Sequence, residues 1–333
     1  MAAQRVIPIE HPRLRGYNPL DWLTLCYFAV TGLILAFGYN RVPHGRDYLL
    51  LHIGVVIGIV MLGQLPRRGH ILLMFLRDTY PLWGLPLLYR EIGVLDRVVW
   101  PGFFDSTVLR WEHGLFGLFP SLYLHQWFPS RILNEFFHFS YIGYYSLVPI
   151  LGFWLYLRGR EEVCRVVATT VMLTFFTCYM FFIFFPVAGP FYVFVRSDAP
   201  VGFFPPIVHR ILLNGASRGS AFPSSHVAGA LAVLWMTARF ERPLLPIMAT
   251  LFAGIFFGVV YCGFHYGVDA LAGLVIGTGC SFAGPRVHCW LLRRSRLGSL
   301  RIRFPHLIGP IVASLWKLRR TDIGVLRRRR RAT

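Results

Sequence analysis

Charged residues are scarce in this 333-residue chain: they make up 15% of it, against 55% hydrophobic residues. Ordinary water-soluble domains carry about 25% charged residues, and the mean hydropathy of +0.54 is too high for them. Acidic residues are the rarest, with 15 Asp and Glu against 34 Lys and Arg, and the formal net charge is +19. This composition excludes a soluble globular domain of the usual kind and favours a membrane protein.

The sequence also lacks the cysteine patterns of disulfide frameworks and zinc sites. Its six cysteines include no C-x-x-C pair, and most of them fall within apolar runs. No cluster of acidic residues stands ready to hold a cation either. We therefore expect neither a disulfide framework nor a metal, and we expect no other cofactor.

Apolar runs of about 20 residues, the length that crosses the hydrocarbon of a bilayer, are what the sequence has in abundance. The third run is the weakest, because Arg77 and Asp78 lie in its middle beside Pro81 and Pro86. A full span and an interfacial or re-entrant helix both stay open for it. The pattern predicts an all-α, polytopic membrane bundle with about six to eight transmembrane helices. The candidate runs are 22–39, 48–65, 71–89, 136–157, 166–186, 223–238, 244–263 and 266–284.

The positive charge gives the orientation. With the N-terminus inside, 24 Lys and Arg residues fall in inner segments and nine in outer ones, which fits the positive-inside rule. We therefore expect an integral protein of the plasma (inner) membrane with both termini in the cytoplasm. The Arg-rich tail, including the run at 327–331, is expected to meet anionic lipid and not nucleic acid. The oligomeric state stays open.

The same count divides the chain into three parts and leaves two long outer loops. The parts are an N-terminal transmembrane hairpin (1–69), a membrane domain (70–285) and a basic cytoplasmic tail (286–333). Residues 90–135 are rich in Trp and Tyr, which predicts helices along the membrane interface. Residues 187–222 are rich in Pro and Gly, which predicts an irregular connection.

One polar stretch, residues 217–226 (SRGSAFPSSH), leads into an apolar run. Pro223 suits the opening turn of a helix, and Ser224, Ser225 and His226 would then lie in that turn. Free backbone N–H groups and the helix dipole attract anions there, and Ser hydroxyls and Arg218 add further donors. The stretch therefore predicts a phosphate-binding turn.

A second polar stretch contains His265 and Asp269 at the start of the last apolar run. Residues four apart share a helix face, so the carboxylate can bond one imidazole nitrogen and make the other a better nucleophile or base. The sixth and eighth runs both begin at the predicted outer face. We therefore expect His226 and His265 to meet there.

The remaining histidines carry no such signal. Glu135 and His138 lie three apart, and we expect a structural pair and not a metal site. The others have no acidic or serine neighbour at a useful spacing: His44, His52, His70, His125, His288 and His306.

Together, Phe222-Pro223-Ser224-Ser225-His226 and the later His265-Tyr266-x-x-Asp269 resemble the type 2 phosphatidic acid phosphatase superfamily. Within it, they are most similar to the inositol phosphorylceramide synthase branch, which favours Phe-Pro-Ser-x-His and His-Tyr-x-x-Asp. The run at 185–190 (FPVAGP) is also similar to that branch, and the region 105–117 with Glu112 less specifically so. The resemblance covers roughly residues 70–285.

The chain departs from the superfamily at two cationic elements. It has no Lys with a later Arg-Pro before Pro223, and Val259 stands where an Arg usually precedes the second histidine. Arg218, or less directly Arg210 or Arg196, is the expected substitute. A vanadate-binding haloperoxidase depends on those cations, so the departure argues against it.

The resemblance implies a metal-independent transfer of phosphate through a phosphohistidine. His265 would attack phosphorus, Asp269 would orient it, and His226 would act as acid and then base. Arg218, Ser224 and Ser225 would bind the substrate phosphate. We expect a lipid phosphotransferase at the outer face, with a lipid phosphatase as the first alternative. A non-catalytic protein that binds or carries lipid is the second.

Overall fold

The computed structural model describes residues 17–64, 71–194, 201–215 and 217–297. Arg196, His70, His306 and the Arg run at 327–331 lie outside these ranges. The described residues form α-helices, two short 3-10 helices and a single isolated bridge between Val187 and Ser220, which confirms the predicted all-α class. The α-helices are α1 (Pro19–Gly38), α2 (Gly45–Gln64), α3 (Ile71–Val99), α4 (Asp105–Phe116), α5 (Pro120–Trp127), α6 (Arg131–Leu157), α7 (Glu161–Phe184), α8 (Pro190–Val193), α9 (Phe204–Gly215), α10 (Ser225–Phe240), α11 (Leu245–Tyr261) and α12 (Gly267–Leu297).

Helices cover all eight apolar runs, and within the described ranges five of them are long and apolar enough to cross a membrane. These five are Pro19–Arg41, Gly45–Gly63, Glu161–Phe184, Arg242–Tyr261 and Gly267–Arg294. They identify an integral membrane protein. Among them α7 is the central helix: most of its residues are buried, and it packs against α1, α3, α6 and α10. A helix that is apolar on all sides needs such a position.

The charges inside α3 are paired rather than exposed. Arg77 donates two hydrogen bonds to Asp21, at 2.8 and 2.7 Å. Asp78 accepts from Arg165 at 2.7 Å and from the Tyr156 hydroxyl at 2.5 Å. Arg77 and Asp78 are thus both paired, and α3 is one continuous helix of 29 residues that contains both prolines. It is not among the described helices that are apolar enough to cross a membrane, so a full span and an interfacial helix both stay open for it.

The loop predictions fare differently. Residues 90–135 contain the short helices α4 and α5, as expected, but residues 187–222 are not simply irregular, because they contain the 12-residue helix α9.

Glu135 accepts hydrogen bonds from Phe203 N–H (2.6 Å) and Phe204 N–H (3.0 Å) at the start of α9. His138 instead donates to the Asn134 carbonyl at 2.7 Å. Both residues therefore have structural partners in the backbone.

The C-terminal boundary also differs from the prediction. Helix α12 passes through Pro285 and ends at Leu297, so the first part of the predicted tail is helical. The rest of that tail, from residue 298, lies outside the described ranges.

We predict that Arg165→Met lowers the stability of the bundle strongly, because it leaves the Asp78 carboxylate buried without its cation. Breaking a buried pair in this way costs about 3–5 kcal/mol. Thermal unfolding in detergent measures the change, and Arg293→Met, at an exposed arginine of α12, is the matched control. The double variant Asp78→Asn/Arg165→Met should recover much of the loss. Equal unfolding temperatures for Arg165→Met and the control would contradict the pairing.

Candidate active site

His226 lies in the first turn of α10, and its position follows from the cap of that helix. The Ser224 side chain accepts a hydrogen bond from Val227 N–H at 3.4 Å, so Ser224 is the N-cap and the helix begins at Ser225. Pro223 lies before the cap and follows a cis peptide bond, so its expected place in the opening turn is wrong. The Ser224 N–H donates to the Asp269 carbonyl at 2.9 Å. That amide is thus not available to a phosphate.

The N–H groups of Ser225 and His226, the next two in this turn, differ from the bonded N–H of Ser224. Within the described residues, Ser225 N–H and His226 N–H make no hydrogen bond, as is usual for the first turn of a helix. The N-terminal dipole of α10 adds a positive potential at the same place. Among the N–H groups of Ser224, Ser225 and His226, only those of Ser225 and His226 are therefore open to an anion.

His265 approaches His226 closely. The distance from His265 Nε2 to His226 Nδ1 is 3.5 Å, and both rings are largely buried. The His226 ring also packs against the rings of Tyr141 and Tyr144, with both centroid distances at 4.7 Å. The structure thus brings together the two histidines that the sequence placed 39 positions apart.

The other nitrogen of His265 has two acceptors. Nδ1 lies 2.9 Å from the Ala221 carbonyl and 3.4 Å from Asp269 Oδ2. Both contacts assign the proton to Nδ1 and leave a lone pair on Nε2, the atom that faces His226. Asp269 therefore lies where the sequence placed it, but the nearer partner is a backbone carbonyl. No side-chain motif reveals such an acceptor.

The expected reason for the Asp269 contact, a shared helix face, is wrong. His265 precedes α12, whereas Asp269 lies in its first turn. The Asp269 carboxylate accepts a hydrogen bond from Tyr266 N–H at 2.8 Å, the geometry of a helix cap. This cap turns the carboxylate back toward His265.

Two carboxylates on α4, the buried Glu112 and the half-buried Asp105, hold the segments around the histidines. Glu112 is fully buried and accepts from Gly267 N–H and Val268 N–H, both at 2.8 Å. These donors belong to the first turn of α12, where a negative charge is favoured. Burial raises the pKa of the Glu112 carboxyl, and the two backbone donors act against that rise.

Asp105, seven positions before Glu112, binds the loop that follows α7. Its carboxylate accepts from Ala188 N–H (2.8 Å), Gly189 N–H (2.9 Å) and the Tyr266 hydroxyl (3.0 Å). Seven residues are about two helical turns, so both carboxylates project from one face of α4. Helix α4 therefore fixes the spacing between the loop after α7 and the start of α12.

A short backbone pairing places Ala221. Ala221 N–H donates to the Val187 carbonyl at 2.9 Å, and Val187 N–H donates to the Gly219 carbonyl at 3.0 Å. Gly189 has a φ of +91°, and a Cβ there would come within 2.8 Å of the Ala221 side chain. The loop after α7 thus holds the carbonyl that binds His265.

Arg218 lies against Tyr192 and is not among the residues that line the cavity at the two histidines. It is exposed, and its guanidinium carbon lies 5.0 Å from the centre of the Tyr192 ring. Tyr192 in turn lines a small cavity of about 30 Å³ that both histidines also line. Burial raises the pKa of the Tyr192 hydroxyl, and the Arg218 charge opposes the rise. The cavity has room for a water molecule, so a phosphoryl group requires neighbouring side chains to move on binding.

The other candidate cations have separate positions. Arg210 is exposed on α9, and Arg196 lies outside the described ranges. Arg90 is exposed at a second cavity of about 480 Å³, and no motif in the sequence points to it. That larger cavity also reaches Ser225 and His226.

Two further histidines have acidic neighbours that are distant from them in the sequence. His52 Nδ1 lies 3.3 Å from Glu91, and His288 Nε2 lies 3.1 Å from Glu162. The expectation that they lack acidic neighbours is therefore wrong in space. For His44 it is also wrong along the chain, because His44 Nδ1 lies 3.3 Å from Asp47 Oδ2, three positions on. In the described part of the chain, His, Cys, Asp and Glu residues form no group of three or more that could hold a metal ion.

These features define a class of protein, a helical membrane bundle with two facing histidines at the starts of helices. A family model described as the PAP2 superfamily matches residues 106–283, just over half of the chain. The protein belongs to the PAP2 superfamily. The matched range contains both histidine motifs and Glu112, and it leaves out α1, α2 and α3. Comparisons with curated proteins and with solved structures found no match.

We predict that Glu112→Gln lowers both stability and activity, because an amide cannot accept from Gly267 and Val268 as a carboxylate does. The loss of a charged hydrogen-bond partner costs about 1.5–3 kcal/mol. Thermal unfolding and turnover of the same preparation measure it. The control is Glu161→Gln, the same substitution at a residue in the first turn of α7. An effect no larger than the control would contradict the role of Glu112.

Proposed function

We propose that the protein is a lipid phosphotransferase that works through a phosphohistidine, with a lipid phosphatase as the alternative. The observation that carries this proposal is the lone pair of His265 Nε2, directed at His226 from a ring whose other nitrogen is bonded to Ala221 and Asp269. Membership of the PAP2 superfamily supports chemistry on lipid phosphates.

In the first half of the proposed reaction, His265 Nε2 attacks phosphorus and forms a P–N bond. The P–O bond to the leaving group breaks, and protonated His226 gives its proton to the departing oxygen. The Ala221 carbonyl and the Asp269 carboxylate favour the positive charge that develops on the His265 ring. N–H groups of Ser225 and His226, with Arg218, stabilise the equatorial oxygens.

In the second half, neutral His226 removes a proton from the acceptor hydroxyl, whose oxygen attacks phosphorus. The P–N bond breaks, and both histidines return to their starting states. A lipid alcohol as acceptor makes the enzyme a phosphotransferase, and water makes it a phosphatase. The resemblance to the inositol phosphorylceramide synthase branch supports the first outcome.

The shortage of cations also supports a phosphodiester donor. Both cationic elements of the superfamily are absent from their usual places, and Arg218 lies against Tyr192, which lines the small cavity at the histidines. A phosphodiester carries one negative charge fewer than a phosphate monoester, so it needs less compensation. Faster turnover of phosphatidic acid than of phosphodiester lipids would contradict this part of the proposal.

We predict that His265→Ala lowers turnover by about a thousandfold or more while lipid binding persists, because the substitution removes the nucleophile and not the binding surface. The purified protein in detergent is given labelled phosphatidic acid, phosphatidylinositol and ceramide, and chromatography follows the label. Label in water indicates a phosphatase, and label in a new lipid indicates a transferase. His44→Ala, at an exposed histidine of the α1–α2 connection, is the control. Retained turnover in His265→Ala would contradict the phosphohistidine mechanism, and lipid binding without turnover in the wild type would favour a lipid carrier.

A further inference from the structure

The larger cavity is mainly apolar and lies between α3 and α6, with α7 behind it. Its volume of about 480 Å³ is within the range of small-molecule sites, about 300–1,000 Å³. Both α3 and α6 pack against α7, and the cavity occupies the space between them. It shares Tyr89, Tyr141, Leu212 and His226 with the small cavity at the two histidines. The two cavities therefore adjoin, and His226 lies in the wall of both.

The length of this cavity matches one lipid chain. On α6 the lining residues run along one face from Tyr141, near His226, to Gly152. Eleven residues of α-helix cover about 16 Å. Half of the hydrocarbon thickness of a bilayer, the depth of one leaflet, is about 15 Å.

At the Gly152 end, the cavity is lined by Phe75 and Cys164. The Phe75 ring meets the Tyr156 ring there at a centroid distance of 5.1 Å, and the Tyr156 hydroxyl is held by Asp78. A Cβ at Gly152 would lie 3.5 Å from the Phe75 ring and 3.7 Å from Cys164 Sγ. A small residue at position 152 thus sets how far this end extends.

The side of the cavity has exposed wall residues. Trp83 on α3 and Tyr145 on α6 are 50% and 51% exposed, although both line the cavity. In a bilayer such residues face lipid chains, which can enter between the two helices. Arg90 lies on α3 next to Tyr89, toward the histidine end, where a cation suits an anionic headgroup.

We propose that this cavity takes one hydrocarbon chain of the lipid substrate, and that Gly152 sets the longest chain that fits. The inference rests on the proposed function, since the bound lipid presents its phosphate to His226 and His265. It also gives a role to α3, which lies outside the range matched by the family model.

The test compares wild type, Gly152→Ala and Gly152→Leu on phosphatidylinositols with paired short chains and paired long chains. Each methylene kept out of an apolar site costs about fourfold in affinity. We expect Gly152→Leu to lose about tenfold or more in kcat/KM on the long-chain lipid and to stay within about twofold on the short-chain lipid. Gly152→Ala, whose Cβ makes ordinary contacts, should shift in the same direction by less. Gly84→Leu on α3, where a Cβ meets nothing within 4 Å, is the control.

A binding measurement keeps this inference separate from the catalytic proposal. Octyl phosphate and hexadecyl phosphate are added to each variant, and the shift in unfolding temperature is read. Wild type should be stabilised more by hexadecyl phosphate, and Gly152→Leu should lose that difference. If this pattern holds without turnover of any lipid, the catalytic proposal fails and the chain site stands. An unchanged chain-length preference in Gly152→Leu, in turnover or in binding, overturns the chain site.

Discussion

The hydrogen bonds at His265 Nδ1 are the constraint on which the site depends. An imidazole can act through one nitrogen only when the other holds the proton, and here the Ala221 carbonyl and Asp269 provide that hold. Ala221 is fixed by its pairing with Val187, and Asp269 by the cap at the start of α12. Thus a backbone pairing and a helix cap together decide which atom faces His226.

Helix α4 connects these two supports. Asp105 binds the loop after α7 and Glu112 binds the first turn of α12, so one rigid helix sets the distance between the two halves of the site. Both carboxylates are bonded to backbone N–H groups, which satisfies donors that would otherwise be buried without partners. We infer that α4 positions the histidines without touching the reacting atoms.

The sequence predicts those features that depend on local pattern. Apolar length alone locates the helices, because a bilayer requires about 20 residues per span. Topology then predicts that His226 and His265 meet. Long-range polar contacts leave no such pattern: Glu112 is 155 residues from Gly267, and His52 binds Glu91 on another helix. The Ala221 carbonyl leaves none either, because every residue has a carbonyl.

Helix α3 shows how charge and apolar packing combine in this bundle. Its Arg77 and Asp78 weaken it as an isolated span, yet their partners on α1 and α7 anchor it to the bundle. Tyr156, bonded to the same Asp78, packs against Phe75, which lines the apolar cavity. The residues that make α3 look least like a span therefore help to shape the space next to the site.

The proposed mechanism requires that His265 Nε2 becomes covalently bonded to phosphorus. The most direct measurement is rapid acid-free quenching of the protein with phosphorus-labelled lipid donor, followed by peptide mass spectrometry. The phosphohistidine mechanism predicts an acid-labile phosphoryl group on His265 that disappears when an acceptor is added. A phosphoryl group on His226, or turnover with no labelled protein under conditions that trap the intermediate, would contradict it.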